Sequence, residues 1–270
     1  MKLGIGSYAY YWGTGVPGYP PATPLTAHDL IDKAADLGVR LVQIDDNLPL
    51  HTLPSREVTA LASHARDKAI ELEIGTRGIQ PDLLREYLRL ASSVGSPLVR
   101  TVLDTGSHHV DPDEVVSALK AIIPEYERAG VSLTVENHDR VAARTLAQII
   151  ERVGSDCVGV CLDTVNSFGA LEGPEVVVEA LAPLCKNLHV KDFRIRRVDH
   201  VMGFVLEGTP AGQGMLDIPW LLASVSQYQH DPSVILELWT PPESDLEATI
   251  AREDRWARES IAYLRQHISD

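Results

Sequence analysis

The sequence predicts an α/β fold, a single (β/α)8 barrel, on three observations. Short β-like apolar runs alternate with longer helical segments from one end to the other, without a block of either type. Eight such pairs can be counted, and eight βα units in 270 residues suit a barrel better than a doubly wound sheet, whose halves leave a visible switch in unit length. In the later strands one parity is apolar and the other polar, as expected when one side meets helices and the other the barrel interior. With no linker, internal repeat or low-complexity segment beyond this alternation, residues 1–270 are expected to form one domain.

The expected strands are Leu3 to Trp12, Arg40 to Asp45, Leu72 to Arg77, Leu98 to Asp104, Ser132 to Asn137, Val158 to Thr164, Asn187 to Asp192 and Val234 to Trp239. Each precedes a helical pattern, beginning near Ala27, Ser55, Pro81, Pro112, Arg144, Pro174, Ile218 and Leu246. Several have proline in the first turn or a small polar residue before it, the usual helix-start chemistry. Gly38 and Gly130 stand where a left-handed residue closes a helix before the next strand. The last helix, Leu246 to Gln266, mixes charged and apolar positions like a solvated closing helix.

Composition narrows the function. Apolar residues make up 44% and charged ones 23%, the balance of a soluble globular chain that can bury roughly 75% of its unfolded surface. The 24 basic and 38 acidic residues give a net charge of −14, which argues against a nucleic-acid partner, since that binding rests on Lys and Arg neutralising phosphates. The three cysteines, Cys157, Cys161 and Cys185, sit in apolar runs and suit a reducing compartment better than a disulfide framework. Without a signal-peptide pattern or an apolar run of about 18 residues, the expected setting is the cytoplasm, with no membrane partner.

Chemistry concentrates in the last four strands. Leu133 and Val135 alternate with Ser132, Thr134 and Glu136; Val158, Val160 and Leu162 with Gly159, Cys161 and Asp163. Leu188 and Val190 alternate with Asn187, His189 and Lys191; Val234, Leu236 and Leu238 with Ile235, Glu237 and Trp239. Glu136, Asp163, His189 and Glu237 therefore converge at the C-terminal mouth, where such barrels carry their sites. Three carboxylates cannot share that space as anions without compensation. A divalent cation resolves the conflict, and oxygen donors with one imidazole suit Mn²⁺, Mg²⁺ or Co²⁺. Any one of these residues alone is as well explained as a solvated strand end.

The segments Thr134-Val-Glu-Asn-His138, Cys161-Leu-Asp-Thr-Val-Asn166, Leu188-His-Val-Lys-Asp192 and Ile235-Leu-Glu-Leu-Trp239, in this order, resemble the xylose-isomerase-like TIM-barrel family over nearly the whole chain. The resemblance implies that Glu136, Asp163, His189 and Glu237 hold one metal ion, Mn²⁺ favoured, with Mg²⁺ or Co²⁺ as alternatives. It also implies that Glu136 and Glu237 form the acid/base pair on opposite faces of a sugar. A metal bridging a carbonyl and a neighbouring hydroxyl acidifies the C–H between them and stabilises an enediolate. The family's ketose epimerases often carry Asp-x-x-His where this chain has Asp163-Thr-Val-Asn166, so Asn166 replaces a substrate-contacting imidazole; Asn also occurs here in relatives acting on pentulose phosphates. The family's endonuclease branch needs a histidine-rich zinc cluster and a basic surface, which this acidic chain lacks.

Around the mouth, Tyr8 and Trp12 are expected to form an aromatic platform for sugar C–H faces. Lys191 shares the parity of His189 and is expected to donate a proton or stabilise an enediolate, or to pair with Asp163 or Glu237. His138 is expected to touch substrate or orient a ligand. Adjacent His108 and His109 on a loop point apart and are left outside the site. The stretch Arg194 to Asp217 exceeds the ~12–15 residues at which a loop suggests function; by resemblance Arg194 contacts substrate oxygens, whereas Arg196 and Arg197 pair with the acidic exterior. The expected activity is a metal-dependent isomerase or epimerase acting through an enediolate on a ketose or its acidic or phosphorylated derivative. The alternative on the same site is a lyase: a decarboxylase of a keto sugar acid, or a dehydratase or eliminase of a keto sugar. A noncatalytic sugar binder is disfavoured because the facing glutamates are retained. The partner is a small sugar or sugar acid, and a homo-oligomer is possible.

Overall fold

The structure, a computed structural model, describes residues 1–103, 111–200, 202–228 and 231–269. His108, His109 and the end of the predicted fourth strand at Asp104 lie outside them. Eight parallel strands close a barrel: β1 (Lys2–Gly6), β2 (Leu41–Ile44), β3 (Glu71–Arg77), β4 (Leu98–Val102), β5 (Ser132–Glu136), β6 (Val158–Asp163), β7 (Cys185–Val190) and, last in the chain, β10 (Ser233–Leu236). Chain neighbours pair around the ring, and β10 returns to β1 to close it. The (β/α)8 class is thus the observed one.

The helices start where local chemistry predicts. A short α1 (Tyr11–Thr14) precedes α2 (Ala27–Asp36), where Thr26 and Asp29 exchange the reciprocal hydrogen bonds of a capping box. Next come α3 (Ser55–Asp67), α4 (Pro81–Val94), α5 (Pro112–Ala129), α6 (Ala143–Val153) and α7 (Pro174–Leu181). Proline stands in the first turn of α4, α5 and α7, where its missing N–H costs nothing. Asp217 caps α8 (Ile218–Ser226) and Asp245 caps α9 (Leu246–Leu264). Gly130 closes α5 at φ 67°, the left-handed geometry expected of it.

The alternation in the strands divides the core. Leu133, Val135, Val160, Leu162, Leu188, Val190, Val234 and Leu236 are completely buried against the helices, each contributing roughly 1.5–3 kcal/mol of transfer free energy. The opposite parity fills the barrel with polar groups.

Two expectations need correction. The first predicted strand ends at Gly6, not Trp12: the chain turns through a 3-10 segment, Ser7–Tyr10, into α1. Inward Gly4 and Gly6 leave room for the side chains of Ile235 and Glu237, and the aromatics that follow roof the mouth instead of extending β1. The second correction concerns the stretch read as a long loop. It folds as an antiparallel hairpin of β8 (Asp192–Arg197) and β9 (Phe204–Thr209), with Arg194 opposite Glu207 and Arg196 opposite Val205. Its base is pinned because the buried Asp192 carboxylate accepts backbone N–H groups from Phe193, Gly212, Gly214 and Leu216 at 2.8–3.1 Å.

Candidate active site

Register brings the predicted acids level with one another. Glu136 pairs with Cys161, Asp163 with His189, and His189 with Ile235. One extra residue on β7, Lys186 between the partners of Val160 and Cys161, shifts the register so that Asp163 stands level with His189. Glu136, Asp163, His189 and Glu237 are all buried. His189 aims Nδ1 at the carboxylates, 3.4 Å from Glu136 Oε2, 3.4 Å from Glu237 Oε1 and 3.9 Å from Asp163 Oδ2. Lys191 joins them, its Nζ 2.8 Å from Asp163 Oδ2 and 2.7 Å from Glu237 Oε2. Asn166 donates from Nδ2 to Glu136 Oε1 at 2.6 Å.

Two buried charges, Arg100 and Asp45, and the half-buried Asp46 beside them were not anticipated from the sequence. Arg100, on β4, donates from Nε to Glu136 Oε2 and from Nη1 to Asp46 Oδ1 at 2.8 Å, and its Nε lies 3.8 Å from Asp45 Oδ1. Asp45 and Asp46 follow β2. Asp45 fits only because β3 has Gly75 opposite it, where a Cβ would collide with the Asp45 carboxylate. The signals were present: Arg100 is a lone charge in Leu98-Val-Arg-Thr-Val102, and Gln43 and Asp45 share one strand parity.

The electrostatics follow from burial and pairing. Burial is the largest single influence on the Glu136 carboxyl and pushes it up, but Arg100, His189 and Lys191 together outweigh it and hold the group down at about 2. Burial dominates at Asp45 and raises its pKa well above the usual carboxylate range despite Arg100. Lys191 loses solvation too, yet the neighbouring Asp163 and Glu237 keep its ammonium protonated far into the alkaline range. The Cys161 thiol is pushed up, first by burial and then by the charge of Glu136, so it stays neutral and is a poor ligand.

Whether the site suits a cation can be judged from its unpartnered atoms. Both oxygens of Asp45, His189 Nδ1 and Glu237 Oε1 are buried without a hydrogen bond, whereas Asp163 Oδ2 and Glu237 Oε2 have only the Lys191 ammonium as partner. Candidate ligand atoms of Asp45, His189 and Glu237 lie within 4.8 Å of one another, as do those of Glu136, Cys161 and His189. Five carboxylates, Asp45, Asp46, Glu136, Asp163 and Glu237, meet three cations, Arg77, Arg100 and Lys191, an excess that one divalent ion would neutralise. The donor set is oxygen and imidazole, which fits Mn²⁺, Mg²⁺ or Co²⁺.

Above the cluster opens a cavity of about 670 Å³. Tyr8, Trp12 and Trp239 form its aromatic side, Arg77 and Lys191 its cationic side, and β9 its outer wall. Trp12 is held by Nε1 donating to the Thr240 carbonyl at 2.8 Å, and Tyr8 donates to Asp46 at 3.2 Å. A Cβ at Gly208 would collide with the Trp239 carbonyl, so glycine there lets the hairpin close onto the mouth. Two predicted residues are not brought to this site. Arg194 is exposed on the hairpin and donates to the Gln213 carbonyl at 3.3 Å. His138 turns to its neighbour Asp139, 2.6 Å from Nδ1 to Oδ1, because it follows the end of β5 instead of continuing the strand's inward parity.

The Xylose isomerase-like TIM barrel family profile matches residues 31–267. The chain belongs to that family. It is 32% identical over 266 residues to the 3-oxo-isoapionate decarboxylase of Pectobacterium atrosepticum, covering 98% of this chain and 95% of the relative. Among solved structures, D-psicose 3-epimerase in the presence of D-fructose superposes with a TM-score of 0.74 at 17% identity, over 98% of both chains. A xylose isomerase-like TIM barrel protein from Mycobacterium smegmatis in complex with magnesium superposes with a TM-score of 0.70 at 13% identity, over 97% of this chain and 96% of that one. At such identities these two likenesses concern the fold. Among the described residues, no helix is long and apolar enough to cross a membrane.

Proposed function

We propose that this chain is a divalent-cation-dependent decarboxylase of a 3-oxo sugar acid, the lyase of the two chemistries its sequence allows. The observation that carries this reading is the engagement of Glu136. Its two oxygens accept from Arg100 and from Asn166. Epimerisation and isomerisation need two proton carriers that alternate, and a carboxylate clamped on both oxygens serves poorly as one of them. Loss of CO₂ from a 3-oxo acid needs no base. The C–C electron pair flows into the ketone, CO₂ leaves, and one proton must then reach the resulting enolate carbon. The 32% identity to a 3-oxo acid decarboxylase over nearly the full chain supports the same choice.

The residues divide the work accordingly. Asp45, Asp163, His189 and Glu237, with Glu136 beside them, would hold the cation, Mn²⁺ favoured; when bound it supplies Lewis-acid polarisation of the substrate's keto oxygen. Arg77, at the rim and paired to Asp46 at 3.1 Å, meets the substrate's anionic group by direct contact once it has entered the cavity. Charge leaves the carboxylate as CO₂ forms, so the aromatic side of the cavity, Tyr8, Trp12 and Trp239, is the favourable place for that group. Lys191, facing the cavity and 2.7 Å from Glu237, donates the proton to carbon and regains one from solvent at the open mouth. Arg100 keeps Glu136 and Asp46 ionised and fixed.

The test is proton NMR in D₂O of Mn²⁺-loaded protein with 3-oxo sugar acids and with free ketoses and their phosphates, alongside a CO₂ assay. The expected result is stoichiometric CO₂ with one deuterium in the product ketose. Deuterium entering a ketose with no CO₂ from any 3-oxo acid would return the protein to the isomerase reading.

A further inference from the structure

Below the carboxylates the barrel interior holds a second polar layer. His189 meets Gln43 there, Nε2 to Oε1 at 2.5 Å. Gln43 donates from Nε2 to Glu73 Oε2 at 3.0 Å and to Asn187 Oδ1 at 3.1 Å. Asn187 in turn donates from Nδ2 to Ser233 Oγ at 2.8 Å and to Glu73 Oε2 at 3.3 Å. Gln43, the partner of His189 in this layer, is buried, as are Glu73, Asn187 and Ser233 behind it, so water does not offer substitutes.

An amide group has two N–H donors and one acceptor oxygen. Both donors of Gln43 face oxygen acceptors, which leaves only its oxygen for His189. An amide oxygen can only accept, so the Nε2 of His189 must carry a proton. In a neutral imidazole the other nitrogen then bears the lone pair, and that nitrogen, Nδ1, is the one facing Glu136, Asp163 and Glu237. We infer that Gln43, itself oriented by Glu73 and Asn187, is a positioning residue that fixes His189 in the Nε2–H tautomer and so presents Nδ1 as a ligand to the cation site. The inference rests on the cation reading for its purpose, but the tautomer is set by the protein alone.

The experiment therefore begins without metal. Long-range ¹H–¹⁵N correlation spectra of ¹⁵N-histidine protein at alkaline pH, with His189 assigned by the signals lost in His189→Asn, should show a proton on Nε2 and a bare Nδ1. A proton on Nδ1, whether or not Nε2 also carries one, overturns the inference. Mn²⁺ titration by calorimetry follows. Gln43→Leu should weaken binding about 10- to 100-fold, the usual cost of losing such a partner. The exchanged pair Gln43→Glu/Glu73→Gln, which keeps an oxygen acceptor beside His189, should stay within about threefold of the native protein. Unchanged affinity and an unchanged tautomer in Gln43→Leu refute the role of Gln43; should that variant not fold, the native spectrum and the exchanged pair still decide. A native protein with the expected tautomer that binds no Mn²⁺ would sink the cation reading and leave the tautomer assignment standing.

Discussion

Replacing Arg100 by methionine is the sharpest test of how the site is held together. Arg100 is 2% exposed and serves Glu136, Asp45 and Asp46 at once. Methionine fills most of its volume but leaves Glu136 and Asp45 without their guanidinium and Asp46 with Arg77 alone. Removing one partner of a buried pair costs about 3–5 kcal/mol, because the remaining charge is uncompensated. With an unfolding entropy of ~2.1 cal/mol/K per residue, a chain of this length has about 0.6 kcal/mol per kelvin, so Tm should fall by roughly 5–9 °C. Thermal melts in EDTA near neutral pH measure this directly. The sign of the pH dependence is fixed by Glu136, whose pKa is depressed to about 2 in the fold. Its ion pair stabilises fully above the ordinary value near 4.5 and is lost as pH falls toward 2. The gap between native and variant should therefore be largest above about pH 5 and narrow below it. Mn²⁺ should restore part of the variant's Tm, since a cation compensates the same carboxylates. A fall smaller than about 2 °C at neutral pH would refute the view that Arg100 carries the electrostatic load of the site.

Glu237→Gln should lower turnover at least about 10³-fold while the folded spectrum by circular dichroism is kept, since it removes a ligand oxygen and a partner of Lys191 without opening a cavity. Arg77→Met should raise KM for an anionic substrate several-fold with little change in kcat, whereas Arg194→Ala, on the exposed hairpin, should leave both within about twofold; equal effects in steady-state assays would reverse the placement of the two arginines. Glu253, on α9, accepts from the backbone N–H groups of Trp12 and Gly13 at 2.8 and 2.9 Å and is 1% exposed. Burial raises its pKa to about 7, so its charged form costs stability that grows as pH rises from about 4.5 through 7. In Glu253→Gln that cost is absent, and melts across this range should show the variant gaining on the native protein by up to about 3 kcal/mol; parallel curves would refute the assignment.

Period and capping made most of the fold legible. The starts of α2, α3, α4, α5, α7, α8 and α9 coincide with their predicted residues because proline or a capping side chain marks each one. The hairpin escaped because long irregular-looking stretches invite a loop reading, although Phe193 and Ile195 alternate with Arg194 and Arg196 as a strand would. Glu136, Asp163, His189 and Glu237 were visible as polar residues at strand ends among apolar neighbours. Arg100 and Asp45 left the same kind of signal, but their roles stayed hidden, because each is explained only by a partner on another strand, and Asp45 by the missing side chain of Gly75. Arg194 stands only five positions after His189 in sequence, but β7 ends at Val190 and the hairpin that follows carries Arg194 on its exposed side.

The balance of charge ties these parts together. The protein carries −14 overall, so an anionic substrate approaches against its field, and the three cations at the mouth are already matched to carboxylates. Ion pairs of that kind hold geometry but contribute little attraction at a distance, because each pair is nearly neutral. A divalent ion among Asp45, Asp163, His189 and Glu237 would cancel the excess negative charge where the substrate's oxygens must sit. Cation and anionic substrate should then each tighten the binding of the other by the same factor, as linkage requires. In that arrangement Arg100 and Lys191 do not replace the cation. They neutralise the carboxylates that one cation cannot, which lets so many acids be buried around a single imidazole.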